Sequence, residues 1–361
     1  MHIPDGYLSP STCATLYAAS TPFWWAALRR VKRQLHTRFI PLLSVFAAFS
    51  FVVMMFNLPL PGGTSGHATG MGVAAVVLGP WAGMIALSLA LLIQALFFGD
   101  GGVTALGANC FNMAIAGCLT AAFVYRAIAG SAALTSRRRM VAAALAGYVA
   151  INVAALLTAI EFGIQPGLFH DAAGAPLYAP YPLQVAVPAM MIGHLTIAGL
   201  AELMVTGGVV AYLQRTDPGL LARTAPGAAL TDAAASGWAA TRRLWLALAM
   251  LMILTPVGLL TVGSAWGEWS PDAFRDESSR AQIAQTSGGA APPAEIPSGL
   301  RRLSAVWTAP IPDYAPPVLK SEAFGYAMSA MVGTGLIILS VAAGAWVSER
   351  VGTRRPGHAG D

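Results

Sequence analysis

Charge is the scarcest property of this chain. Only 10% of its 361 residues are charged, against about 25% in a soluble domain, and 56% are hydrophobic, with a mean hydropathy of +0.63. That balance excludes an ordinary soluble globular fold. Lysine is nearly absent: Lys32 and Lys320 are the only two. Neither completes a G-x-x-x-x-G-K-[ST] phosphate loop, since Leu319 precedes Lys320, so the chain is not expected to hydrolyse ATP itself. The three cysteines, Cys13, Cys110 and Cys118, form no C-x-x-C pair and fall in apolar runs, where a thiol behaves as a small buried apolar group. No H-E-x-x-H occurs, which removes the commonest route to a metalloprotease. The first ten residues hold no Lys or Arg but contain Pro4, Gly6 and Pro10, unlike a cleavable signal peptide.

What is present is a succession of apolar runs, and runs of about 18 or more read as spanning helices. Nine segments are expected: about 9–28, 39–58, 67–78, 81–98, 104–128, 140–162, 183–213, 244–262 and 323–347. The third is too short to cross alone without thinning or tilt. Gly79-Pro80 separates it from the fourth, and Pro59 to Gly66 reads as a loop. The fold class is therefore all-α and polytopic in a membrane. Residues 1–213 form one domain of seven segments, 214–241 a polar Ala/Gly/Pro-rich linker, and 242–361 two further helices around a long loop, about 263–322.

The net charge of +5 follows membrane topology and does not indicate a nucleic-acid surface. Placing the loop after the first segment in the cytoplasm and alternating puts every short-loop Arg and Lys on that side, the positive-inside pattern. The exceptions among the 21 basic residues are Arg275, Arg280, Arg301, Arg302 and Lys320. All lie in the long loop, where the rule has little force. The N-terminus is then extracytoplasmic, the C-terminus cytoplasmic, and His67 faces the same compartment as Met1.

That coincidence gives the first two residues a chemistry. A free α-amine, the His2 amide nitrogen and His2 Nδ1 lie on one short covalent path. Together they can chelate a divalent metal in a near-planar tridentate set. One more imidazole completes a square of four nitrogens, which suits Ni(II) or Cu(II), whereas zinc prefers a tetrahedron. The amine must lose its proton to bind, and its reference pKa is about 7.7–8.0, so affinity is expected to fall in acid. On its own, His2 reads as an ordinary exposed residue near a frayed end, since one histidine is weak evidence for a ligand. His67, after Thr64-Ser65-Gly66, is the candidate fourth ligand. A cap from Thr64 or Ser65 and the positive helix end would keep its imidazole neutral.

These residues sit in motifs that resemble a known family. Met1 to Ser9 (MHIPDGYLS), Pro61 to His67 (PGGTSGH), Leu78 to Trp81 (LGPW), Gln94 to Asn109 and Phe111-Asn112-Met113 are similar to the CbiM/NikM family. Those proteins are substrate-binding membrane subunits of energy-coupling-factor (ECF) nickel and cobalt transporters. The resemblance covers about residues 1–213, and residues 242–347 resemble the small NikN/CbiN accessory subunit, here fused. It implies a metal held by Met1, His2 and His67, transported Ni(II) or Co(II) with no prosthetic group, and partners comprising a coupling (T) membrane subunit and ATP-binding cassette ATPases. Ile3-Pro4-Asp5-Gly6 leans to nickel.

Asp5, Ser65, Asp100, Asn109 and Asn112 are candidates for orienting the ligands. Glu161 is expected near the outer surface and solvated. His194 and Glu202, eight residues apart and roughly 12 Å along a helix, read as structural or partner-coupling groups, with Glu202 toward the cytoplasmic side. His170 and His358 read as incidental. Two other classes compete with a transporter subunit. A gradient-driven permease would more often show inverted repeats and midplane carboxylates, and no repeat is evident. A membrane metalloenzyme needs an open metal position, which a nitrogen square lacks.

Overall fold

The computed structural model describes residues 1–33, 39–225, 238–261, 263–316 and 318–353. The central part of the linker (226–237), Arg38, Arg354, Arg355 and His358 lie outside them. Each expected segment is helical. We number them α1 (Pro10–Lys32), α2 (Phe39–Met54), α3 (Met71–Leu78), α4 (Pro80–Phe98), α5 (Leu106–Ala129), α6 (Arg137–Leu168), α7 (Leu183–Thr216), α8 (Thr241–Leu260) and α9 (Glu322–Ser348). Among the described residues, α4 to α9 are the six long and apolar enough to cross a membrane, and α2 is a shorter apolar helix. The chain is a multi-pass helical membrane protein.

The bundle closes around α3. All eight of its residues are apolar or glycine and all are buried, as expected of a helix with no polar face. Such a burial is costly at the helix start, whose N–H groups have no partner within the helix. The structure answers with a carboxylate from α7. Glu202 is fully buried and accepts hydrogen bonds from Thr69 N (2.7 Å), Gly70 N (3.0 Å) and Gly72 N (3.1 Å). This corrects one expectation and locates a second residue. The third helix begins at Met71, not His67, with Gly70 at φ +72° as its cap residue, and Glu202, read as a structural or partner-coupling group, is seated against the residues that follow His67. Thr64 and Ser65 cap nothing. They belong to strand β2 (Thr64–Gly66), paired antiparallel with β1 (Leu58–Leu60) across a Pro61-Gly62-Gly63 turn.

Small residues let the helices meet backbone to backbone. A Cβ on Gly72 of α3 would stand 2.7 Å from Gly147 Cα of α6. One on Gly147 would meet Thr206 Cβ of α7 at 2.9 Å. Three helices touch at that point. Three of the long helices also carry a π-helical turn: Gln94–Phe98 in α4, Cys110–Gly117 in α5 and His194–Ala198 in α7. Such turns widen a helix locally and are frequent at functional sites.

The loop between α8 and α9 is folded. It contains helices Glu277–Thr286 and Ser298–Leu303 and lies on the end of the bundle that holds Met1. Ser264 O accepts from Thr64 Oγ1 (2.8 Å), Ile311 N donates to Phe97 O (2.9 Å), Trp307 Nε1 to Leu96 O (2.9 Å) and Gly299 N to Leu177 O (2.8 Å). Trp266 and Trp269 pack edge-on to each other, with Tyr181 against both. The loop forms a roof.

Candidate metal centre

The site is assembled from the terminus inward. Met1, His2 and Ile3 are 3%, 1% and 0% exposed, so the terminus is packed and not frayed. Asn109, in the first turn of α5, treats Ile3 as a strand partner would: its Oδ1 accepts Ile3 N (2.8 Å) and its Nδ2 donates to Ile3 O (3.1 Å). Gly102 N also donates to Ile3 O (2.8 Å). The chain then reverses at Pro4-Asp5-Gly6, with Gly6 at φ +90°, a conformation glycine adopts without a Cβ penalty. The Asp5 carboxylate accepts Thr104 N (2.7 Å), Val103 N (3.1 Å) and the Thr104 hydroxyl. Gly102 permits this approach, since a Cβ there would press within 2.6 Å of Asp5 Oδ1. Ser9 caps α1 through Thr12 N (3.1 Å). The short sequence between His2 and α1 is thus fixed at Ile3, Asp5, Tyr7 and Ser9.

This brings Met1, His2 and His67 together. The His2 and His67 rings stack with centroids 5.1 Å apart. His67 Nδ1 lies 3.1 Å from Ala68 O. A carbonyl only accepts, so Nδ1 carries the proton and Nε2 keeps its lone pair. Burial lowers the His67 pKa from 6.5 to about 3, and the neighbouring His2 and terminal amine push it the same way. The neutral ring follows from burial, not from the helix end that the sequence suggested.

Carboxylates complete the centre. Asp100 Oδ1 lies 2.8 Å from His2 Nδ1, off the alignment of a hydrogen bond, and His2 Nε2 has no partner. Asp100 Oδ2 accepts from Tyr314 OH (2.5 Å) and Gln94 Nε2 (3.2 Å). Burial pushes the Asp100 pKa up, but the neighbouring His2 and the hydrogen bond from the Tyr314 hydroxyl outweigh it and hold the carboxyl below its usual range. Burial and Asp100 raise the Tyr314 pKa well above its usual range, so its hydroxyl stays a donor. Glu268 Oε1 accepts from the Met1 ammonium at 2.8 Å. One ligand atom each from His2, Asp100 and Glu268 fall within 4.8 Å of one another. A cavity of about 460 Å3 lies over the centre, lined among others by His67, Asp100, Glu268, Asp313 and Ser65.

Glu268 and Tyr314 both come from the roof, and the sequence reading did not find them. Tyr314 reaches Asp100 from consecutive left-handed residues, Asp313 (φ +52°) and Tyr314 (φ +59°). Strain of about 1–3 kcal/mol per residue is typical of such non-glycine conformations. Asn112 is turned elsewhere: its Nδ2 donates to Thr158 Oγ1 (3.1 Å) and Glu161 Oε2 (2.8 Å). Glu161 is therefore buried and hydrogen-bonded, not solvated as expected. His170 is exposed, with Nδ1 near Pro166 O (3.2 Å).

A membrane bundle whose amino terminus is locked inward beside two imidazoles and two carboxylates defines a class: a multi-pass protein with a candidate cation centre beside its amino terminus. Comparison with known proteins is more specific. The description "cobalt uptake substrate-specific transmembrane region" (CbiM) matches residues 2–220, and the chain belongs to the CbiM family. It is 55% identical to the fused nickel transport protein NikMN of Rhodobacter capsulatus, over 99% of this chain and all of that one. It is 42% identical to the probable fused nickel transport protein LarMN of Lactiplantibacillus plantarum, over 78% of this chain and 82% of that one. A crystal structure described as a transition metal transporter superposes with a TM-score of 0.57 at 52% identity. It covers 60% of this chain and 94% of that one.

Proposed function

We propose that this protein is the substrate-specific component of an ATP-driven nickel or cobalt uptake system. It captures the ion outside the cell at Met1, His2 and His67. The carrying observation is the burial of the terminal amine beside both imidazoles, with rings 5.1 Å apart. Residues 1–213 act as the metal-binding domain, 214–241 as a cytoplasmic linker, and 242–361 as a fused accessory domain. The ATPases and the coupling membrane subunit are separate chains. Nickel is favoured by the nickel transport names of the fused relatives and by four available nitrogens.

Loading requires an exchange of partners. Glu268 holds the amine and Asp100 faces His2 Nδ1, so both carboxylates must release nitrogen atoms to the arriving ion. Asn109 and Asp5 keep the terminus in register during that exchange. Asp100 then remains close to balance the charge of the bound metal.

Adding one residue before Met1 tests the reading. The amine moves out of chelate range of His2, and nickel retention by the purified, folded protein is expected to vanish. Undiminished nickel affinity would sink the terminal chelate.

A second reading has a specific observation behind it. His2, Asp100 and Glu268 could hold the ion directly through mixed nitrogen and oxygen atoms. The absorption spectrum of the nickel-loaded protein separates the two. A square of nitrogens gives a yellow, low-spin centre, and mixed ligation gives a pale, high-spin one. A gradient-driven permease is distinguished by uptake into vesicles containing this chain alone. The proposed component needs its partners and ATP.

A further inference from the structure

His194 is a buried imidazole with no part in the centre described above. It is 5% exposed and opens the π-helical turn of α7, His194–Ala198. Its Nδ1 lies 2.8 Å from Met190 O. The carbonyl can only accept, so Nδ1 bears the proton and Nε2 bears the lone pair. Among the described residues the Met190 carbonyl is the ring's hydrogen-bond partner, and Nε2 has none. This is the arrangement of a metal-ligating histidine: one nitrogen held by a backbone carbonyl, the other presented as a neutral donor.

His194 lines a second cavity, of about 370 Å3, together with Met1, Gln184, Gln285 and Ser287. One water needs only about 10–15 Å3 of space reachable by a water-sized sphere, so the cavity has room for a hydrated ion. No Lys or Arg lines it. It runs along α7 from Gln184, in the first turn, to His194. The hairpin β1–β2 and the roof segment from Ala265 to Ala290 close its other sides. Ser65 and Ala265 line both this cavity and the one over the centre, so they are the wall between the two. Met1 stands at the second cavity and bonds to Glu268, which lines the first.

We propose that His194 is a transient metal ligand on the loading route. Its Nε2 takes nickel or cobalt in the second cavity and passes it to the terminal amine. The idea rests on the transport reading above. It adds an imidazole that the four-nitrogen square does not use, and it gives that imidazole a kinetic role.

The test uses the full chain without a histidine tag. In His194→Ala the rate of nickel loading, followed by absorbance after rapid mixing, is expected to fall at least tenfold. Final content and affinity should stay within twofold of wild type, because the terminal chelate is intact. His194→Gln can still donate to Met190 O but lacks the imidazole. It should load as slowly and covers the case in which the alanine variant does not fold. Independently, His2→Ala/His67→Ala is expected to keep a weak cobalt(II) absorption band that disappears when His194→Ala is added. A wild-type loading rate in the folded His194 variants, or a cobalt band that persists in the triple variant, overturns the proposal. Nickel content that ignores His67→Ala but falls with His194→Ala would overturn the terminal chelate and leave His194 as the ligand.

Discussion

Acid acts on His67 through the unfolded chain. Its folded pKa is lowered from 6.5 to about 3 by burial, so the folded state binds no proton there over that range while the unfolded state does. Stability from this group is therefore complete above pH 6.5 and is lost as pH falls from 6.5 toward 3. The melting temperature of the metal-free protein should drop across that window, and by less in His67→Gln, as read by thermal unfolding in detergent. Glu268→Gln weakens the tie to the Met1 ammonium. Leaving a buried charge less well paired costs about 1–3 kcal/mol, so metal-free Glu268→Gln should melt earlier, with the difference shrinking once nickel occupies the amine. Sequence made Met1, His2, Asp5, His67, Asp100 and Asn109 visible because each sits in a short motif bounded by turn residues. Glu268 and Tyr314 were not visible. They lie 267 and 214 residues from their partners Met1 and Asp100, in a loop whose periodicity carries no signal.

The elements depend on a few polar and small positions. Glu202→Ala would orphan the N–H groups of Thr69, Gly70 and Gly72 in the interior, at about 1–3 kcal/mol each. We expect a large loss of thermal stability and weaker nickel retention, since the His67 backbone is held two residues away. Glu202→Gln keeps an acceptor and should recover part of both. Gly147→Val drives a branched side chain into Thr206, and its expected signature is poor yield with early melting. Helix number was legible because long apolar runs in lipid have few alternatives. The start of α3 was not, because its cap comes from α7 and not from the preceding residues. Thr64 and Ser65 are not free to act as local caps because the β1–β2 hairpin holds them.

At the scale of the molecule, the roof and the bundle are joined by contacts between residues 200 or more positions apart, among them Met1–Glu268, Tyr7 OH to Trp269 O (2.7 Å) and Thr64 Oγ1 to Ser264 O. A protease site placed within 226–237 should therefore yield two fragments that stay together on size exclusion and retain nickel. Separation of the fragments on cutting would show that these contacts are too weak to hold the halves without the chain.

The roof is seated by aromatic packing, with Trp266 against Phe162 and Tyr314 stacked on Phe98, by single hydrogen bonds and, among the described residues, by one ion pair, each modest by itself. Joined to the bundle by the same polypeptide, they work at an effective concentration that a short tether sets in the millimolar range. A free subunit would need a far larger interface to stay bound. Covalent continuity therefore supplies occupancy of the roof without requiring that these contacts alone bind tightly.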